Sequence, residues 1–356
     1  MISLTIFKVL MPAVLSFIIG ILFSPPLISF LRKHKIWKKK NVGKSIDGSL
    51  ISITATLHND EERKLLRMGG IVIWFSVFAT TAIFLLISWI FPSSITEKIE
   101  FISRNQTWLP LIAMLVGAIV GGVDDLLVAE AFGGSLNSYV GGGLSFPVRL
   151  VAVSLLGLGM GAWFYYKLDV SAVYIPFHGG VVVGGLLFIL FFTLVTVALF
   201  STSVIDGVDG LSGGIFSAIF TAYGFIAYYQ QQIDIAALCF VIVGAIFAFL
   251  WFNVPPATYM MAETGIMALT LSLSVIAFLT DSVMYLPIIA LPLVITTGSV
   301  ILQLLWKKIF KRKLFIVAPL HHHFEAKGWA KAQVTMRYWI ISYMCAMLGV
   351  VVALIS

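Results

Sequence analysis

The chain has 356 residues, 60% hydrophobic and 11% charged, with a mean hydropathy of +1.03, and that much apolar surface cannot be hidden inside a soluble globule. A formal net charge of +7 would suit nucleic acid if the basic residues shared one soluble face, but they crowd loops beside apolar runs, a membrane-orientation pattern, and no nucleic-acid module is recognisable. Cys239 and Cys345 both lie in apolar runs and support neither a disulfide framework nor a zinc site.

A helix needs about 20 mostly apolar residues to cross a hydrocarbon core of ~30 Å. The first candidate, near 7–30, has no cleavage pattern and reads as a retained span, not a signal peptide. A basic segment leads to the second, 69–92, which opens on Gly69-Gly70. The third, 108–127, carries Gly117, Gly121 and Gly122, suited to close helix packing, and closes on Asp124-Asp125. The fourth, 147–166, follows Gly143-Leu144-Ser145 and contains Arg149. After the segment Tyr174-Ile175-Pro176-Phe177 comes the fifth, 181–201, then a polar loop, Ser203 to Gly210, and the sixth, 211–229. The seventh, 235–252, is followed by Asn253 to Glu263 and by the eighth, 265–280. A ninth at 284–306, a basic segment with His321-His322-His323, and a tenth at 335–355 complete a single polytopic all-α domain, 1–356.

Ten Lys and Arg lie between spans one and two (Arg32 to Arg67) and eight between spans nine and ten (Lys307 to Arg337); with Arg149 these are 19 of the 23. Lys8, Lys98, Arg104 and Lys167 fall on the other side. The positive-inside rule therefore makes the odd-numbered loops cytoplasmic and both termini external. Asp124, Asp125, Asp206, Asp209, Glu263 and the three histidines then share the cytoplasmic face.

Each piece has an ordinary explanation. An Asp pair can be a solvated helix boundary, Asp206-Gly207-Val208-Asp209-Gly210 can be a turn, and Glu263 can offset the dipole at the mouth of span eight. Together they form a carboxylate set near lipid, which is costly unless it pairs, binds a metal or lines a wet cavity. Hard oxygen donors from several loops, with positions left open for phosphate, suit Mg²⁺. The adjacent histidines lack the companion ligands of a zinc site, but with lysine they suit an anionic diphosphate, donating hydrogen bonds and offsetting charge.

Ala318-Pro319-Leu320-His321-His322-His323-Phe324-Glu325-Ala326-Lys327-Gly328-Trp329, followed by Arg337-Tyr338-Trp339, resembles the C-terminal signature of bacterial phospho-N-acetylmuramoyl-pentapeptide transferases. Arg67-Met68-Gly69-Gly70, Asp124-Asp125, Gly143-Leu144-Ser145 with Arg149, the Asp206 to Leu211 loop, Asn253 to Gly265 and Ser299 to Gln303 resemble the same family in the same order. The resemblance spans nearly the whole chain. It implies a ten-span, Mg²⁺-dependent enzyme of the bacterial plasma membrane, usually a homodimer. Such an enzyme transfers phospho-MurNAc-pentapeptide from UDP-MurNAc-pentapeptide to undecaprenyl phosphate, giving lipid I and UMP. It also implies catalytic roles for Asp124, Asp125, Asp206, His321, His322 and His323, with Glu263 and the Asp pair at the metal. Arg67, Arg149, Ser203, Gly207, Asp209, Asn253 and Met260 fall at positions for substrate.

Several positions depart from the family pattern. Glu263 replaces an Asp, Met260 stands where an aromatic ring would stack on uracil, Ser203 replaces Asn, and Leu127 stands where Tyr is expected. Arg67-Met68-Gly69-Gly70 is closer to transferases of GlcNAc-1-phosphate. The competing readings are such a sister transferase, with activity on UDP-GlcNAc, and a transporter or inactive scaffold, which would hold its charges near the membrane midplane.

Overall fold

The computed structural model describes residues 2–37, 65–93, 96–102, 107–129 and 143–356. The basic positions Lys38, Lys39, Lys40, Lys44, Arg63, Lys64 and Arg104 lie outside the described residues. Among those described, ten helices are long and apolar enough to cross a membrane. They are α1 (Ile2–Lys33), α2 (Ile71–Ile90), α3 (Trp108–Val128), α4 (Phe146–Leu168), α5 (Gly185–Phe200), α6 (Leu211–Tyr229), α7 (Ile233–Asn253), α8 (Ala262–Leu279), α9 (Leu291–Phe310) and α10 (Lys331–Ile355). The fold is an all-α, multi-span membrane bundle.

Most expected boundaries move by a few residues, and two of the shifts have a clear chemical reason. The fifth span starts not at 181 but at Gly185, because Gly179–Val182 is a strand, β2, antiparallel to β1 (Ala172–Ile175) in the register Ala172 to Val182. Consecutive β-branched Val181, Val182 and Val183 favour a pleated chain over a helix. The expected loop Tyr174-Ile175-Pro176-Phe177 is thus the end of β1 and the hairpin turn. The ninth span starts not at 284 but at Leu291. Before it lie a 3₁₀ turn (Val283–Tyr285) and one short helical turn (Leu286–Ile289). Pro292 has no N–H and its ring crowds the preceding turn, so a continuous helix cannot pass through Ala290.

The centre of the bundle is α6, α7 and α8, whose side chains are buried on nearly every side, whereas α1, α4, α9 and α10 turn most of their surface outward. A helix apolar all round belongs inside a larger bundle, and the sequences of α7 and α8 fit that rule. α3 lies directly against α8. Gly117 and Gly121 face the main chain of α8 at Met267 and Glu263, so closely that a methyl group at either would collide with backbone. This contact of small residues brings the Asp-bearing end of α3 to the first turn of α8.

Candidate functional site

The site is assembled on a strand-like pairing between two loops. Met260 N–H donates to Leu66 O (2.9 Å), Gly69 N–H to Met260 O (2.8 Å) and Gly70 N–H to Met261 O (3.0 Å). Arg67 is thereby fixed beside the N-terminus of α8. A second tie joins the glycine-rich loop to the end of α7: Asn253 accepts from Gly210 N–H (3.0 Å) and donates to Tyr259 O (2.7 Å). Asp209 accepts from Ala257 N–H (3.1 Å). As placed, both ends of the Asn253 amide are taken by main chain, so this residue and Asp209 hold loops together.

Around that frame the carboxylates and guanidiniums interlock. Asp125 accepts from Arg67 Nη2 (2.8 Å), from Thr264 N–H (2.9 Å) and from Glu263 N–H (3.3 Å). Both its oxygens are therefore engaged, Oδ1 twice and Oδ2 once. Asp124 accepts from Leu144 N–H (2.7 Å), which draws the Gly143-Leu144-Ser145 segment onto α3. Arg149 Nη1 donates to Glu263 Oε1 (2.9 Å) and lies 3.9 Å from Asp124 Oδ2. Asp206 accepts from Ser212 Oγ (2.8 Å) and from Ala262 N–H (2.7 Å), tying the loop after α5 to the start of α8. Burial pushes the Asp206 carboxyl above its ordinary range, and those two hydrogen bonds and the nearby Arg67 oppose the rise. Burial also works against the Arg67 charge, but Asp125, Glu263 and Asp206 outweigh it and raise its pKa.

The histidine triplet divides. A Cβ on Gly207 would stand 2.9 Å from Nε2 of both His321 and His322, so glycine is what lets the two imidazole edges reach this loop. Their rings are 4.2 Å apart and nearly perpendicular. His323 departs from the expected cluster: its Nδ1 accepts from Ile316 N–H (3.2 Å) and its ring lies edge-on to Phe315. Successive residues of the short helix Leu320–Ala326 point about 100° apart, so three in a row cannot share one face. Partial burial and Lys327 hold His323 below the usual histidine range. Ser203 sits in the 3₁₀ turn Ser201–Ile205, where its carbonyl accepts from Asp206 N–H (3.3 Å). Met260 is half-buried and is held through its backbone.

Among the described residues no three His, Cys, Asp or Glu side chains stand grouped as a ready-made metal cage. Mg²⁺ does not need one, since one or two carboxylates with phosphate and water suffice. The residues present fit it: among the described residues Glu263 Oε2 is buried with no hydrogen-bond partner, and Asp124 Oδ2 has Arg149 at 3.9 Å. Nε of Arg67 and Nε of Arg149 are likewise buried and unpartnered. An orphaned buried acceptor beside orphaned donors is expensive in a finished core and suits a site for a charged ligand.

Three contributors were absent from the expected site. Thr264 and Ser212 act as donors to Asp125 and Asp206, and Thr-Gly and Leu-Ser pairs at helix starts carry too little signal to single them out. Glu325 hydrogen-bonds His322 Nδ1 (2.6 Å), and its place three residues after His322 on a helix was a usable signal.

The model of the family described as Glycosyl transferase family 4 matches residues 107–281, which include Asp124, Asp125, Asp206, Asp209 and Glu263. A phospho-N-acetylmuramoyl-pentapeptide-transferase of Geobacillus thermodenitrificans is 30% identical over 342 residues, covering 94% of each chain. Those of Levilactobacillus brevis and Bacillus subtilis are each 29% identical, covering 98% and 96% of this chain and 99% and 97% of their own.

Proposed function

The chain belongs to the phospho-N-acetylmuramoyl-pentapeptide-transferase family, a group of phosphoglycosyl transferases of peptidoglycan synthesis, and from that premise we propose its substrates, metal and orientation. It takes phospho-MurNAc-pentapeptide from UDP-MurNAc-pentapeptide and places it on undecaprenyl phosphate, releasing UMP and forming lipid I. The observation that carries this reading is the meeting of five carboxylates, Arg67, Arg149 and two imidazoles at one end of the bundle. A water-soluble nucleotide sugar and a lipid phosphate can meet only at such an end.

In the reaction an oxygen of the lipid phosphate attacks the β-phosphorus of the nucleotide sugar. The bond from that phosphorus to the bridging oxygen breaks, and the oxygen leaves with UMP. Arg67 is braced by Asp125, so its position does not depend on substrate. Arg149 holds one oxygen of Glu263 and leaves the other turned to the site. His321 and His322 border the Gly207 loop and can donate to anionic oxygens there. Glu263 through Oε2 and Asp124 through Oδ2 would hold Mg²⁺, which when bound supplies neutralising charge for the diphosphate.

The site end is assigned to the cytoplasm. Arg32, Lys33 and Lys35 at the end of α1, and Lys307, Lys308 and Lys311 at the end of α9, lie at that end, while Lys8 and Lys167 lie at the other. The protein is placed in the bacterial plasma membrane as a homodimer, following the family pattern. Release of UMP from UDP-MurNAc-pentapeptide and from UDP-GlcNAc, each with undecaprenyl phosphate and with or without Mg²⁺, tests the proposal. Turnover of UDP-GlcNAc alone would move the chain to the sister activity suggested by Arg67-Met68-Gly69-Gly70, and turnover without divalent metal would remove Mg²⁺.

A further inference from the structure

Glu325 lies behind the two imidazoles that border the Gly207 loop, on the side away from it. It shares a helical face with His322, three residues earlier, and its Oε2 is 2.6 Å from Nδ1 of that ring. An ionised carboxylate can only accept, so this contact places a proton on Nδ1 of His322 and leaves Nε2 as the atom presented to the loop, where it donates to an anionic oxygen when the ring is an imidazolium, the form that the Glu325 charge favours, and accepts a proton when the ring is neutral. Nε2 is also the atom that a side chain at position 207 would strike. The His321 ring rests 4.2 Å away and nearly perpendicular, so fixing one plane restrains the other.

We propose that Glu325 is a positioning residue for the transfer: it sets the tautomer and ring plane of His322 and so directs Nε2 at the Asp206-Gly207 loop, where the anionic substrate is held. A merely structural pair on a short surface helix would leave Nε2 in solvent. Here the two side chains are 9% and 4% exposed, and the far nitrogen abuts the loop whose Asp206 is tied to α8. The short helix is itself seated, with Leu320 N–H on Ser299 Oγ (3.0 Å) and Phe324 stacked on Trp329, which also carries the Arg337 guanidinium over its ring. The carboxylate therefore acts from a fixed platform. Partners that orient a metal-bound imidazole are commonly worth 10–100-fold in metal affinity or activity, and an effect of about that order is expected here.

The inference rests on the transferase reading, and its test includes an arm that does not. Full-length Glu325→Ala, Glu325→Gln and Glu325→Asp enzymes would be compared with the parent in steady-state UMP release, varying UDP-MurNAc-pentapeptide, and in thermal unfolding. ¹⁵N spectra would be recorded on histidine-labelled protein, with the His322 signals assigned through His322→Gln. Expected for Glu325→Ala is a kcat per folded molecule lower by about 10–100-fold, with KM within about threefold, beside a lowered unfolding temperature from breaking a buried pair. Glu325→Gln keeps an acceptor oxygen and should recover part of the loss. His322 should show Nδ1–H in the parent and lose that preference in the alanine variant. An unchanged kcat per folded molecule, a loss accounted for by the unfolded fraction, or a His322 tautomer indifferent to residue 325 would each overturn the proposal. Absence of turnover in the parent would count against the transferase reading and leave the tautomer experiment to decide the role of Glu325.

Discussion

The two ends of the bundle use the same polar chemistry to different effect. At the end away from the site, Lys8 meets Asp234 at 2.5 Å. Gln230 and Gln232 donate to the last carbonyls of α8, at Thr280 (2.9 Å) and Leu279 (3.1 Å), and Tyr223 donates to Ser282 O (3.1 Å). These contacts close helix ends that would otherwise leave main-chain groups unmet. At the site end, Asp125 and Asp206 also cap α8, through the amides of Glu263, Thr264 and Ala262. There, however, Glu263 Oε2 and the Nε atoms of Arg67 and Arg149 are left over. Carboxylates at helix ends do not by themselves mark function; the surplus that remains after capping does.

The largest effect that can break this comparison is all-or-none. A single cysteine placed at Lys311 should be shielded from an impermeant thiol reagent in intact cells, and one at Lys167 should be labelled; the reverse pattern would put the site outside. Next in size is Glu263→Gln, expected to lower UMP release by roughly a thousandfold or more, since the charge lost is one that developing transition-state charge depends on. Because it strips the partner charge from Arg149, which holds Glu263 at 2.9 Å, its unfolding temperature should hold or fall, and Glu263→Asp should retain activity. Full activity of the Gln variant would refute the assignment of Oε2.

Asp234→Ala sharpens the contrast from the other end. Loss of one partner of a nearly buried pair should cost about 3 kcal/mol of stability, read as a lowered unfolding temperature, with kcat per folded molecule unchanged. A fall in kcat at preserved stability would erase the distinction between the ends. The smallest effect belongs to Met260→Phe. Stacking on an aromatic ring is worth roughly 1–3 kcal/mol against alanine, and a thioether already supplies part of that, so a uridine inhibitor should bind about fivefold to tenfold tighter by calorimetry, and unchanged affinity would show that the side chain at 260 does not face the base.

Much of the architecture was written in the pattern of apolar runs. Bounds of α3 and α6 fall within a residue of expectation, because Asp124-Asp125 and the Asp206 to Gly210 loop interrupt hydropathy sharply. The start of α9 was hidden because Leu286, Pro287 and Ile288 are as apolar as a span, and hydropathy does not register a proline's missing donor. The strand β2 was hidden likewise, as three valines satisfy either ruler. Within the site, chemistry-bearing residues were legible by type and their partners were not: the pairing of Arg149 with Glu263 joins positions 114 residues apart, a relation that exists only once α3, α4 and α8 have packed. The division of the histidines was readable in principle, since helical geometry alone sends the third one elsewhere.

The glycine contact between α3 and α8 bears on how this lineage can change over time. A methyl at Gly121 runs into the backbone of Glu263 and Thr264, which no rotamer can clear, whereas one at Gly122 would meet, among the described residues, the Thr264 hydroxyl at 3.6 Å and the end of Met68 at 4.0 Å. Two neighbouring glycines therefore stand under opposite steric constraint. Gly122 is free to drift to alanine, while any descendant that alters Gly121 must also reshape the first turn of α8, so the spacing between the aspartate pair and Glu263 is inherited as a unit.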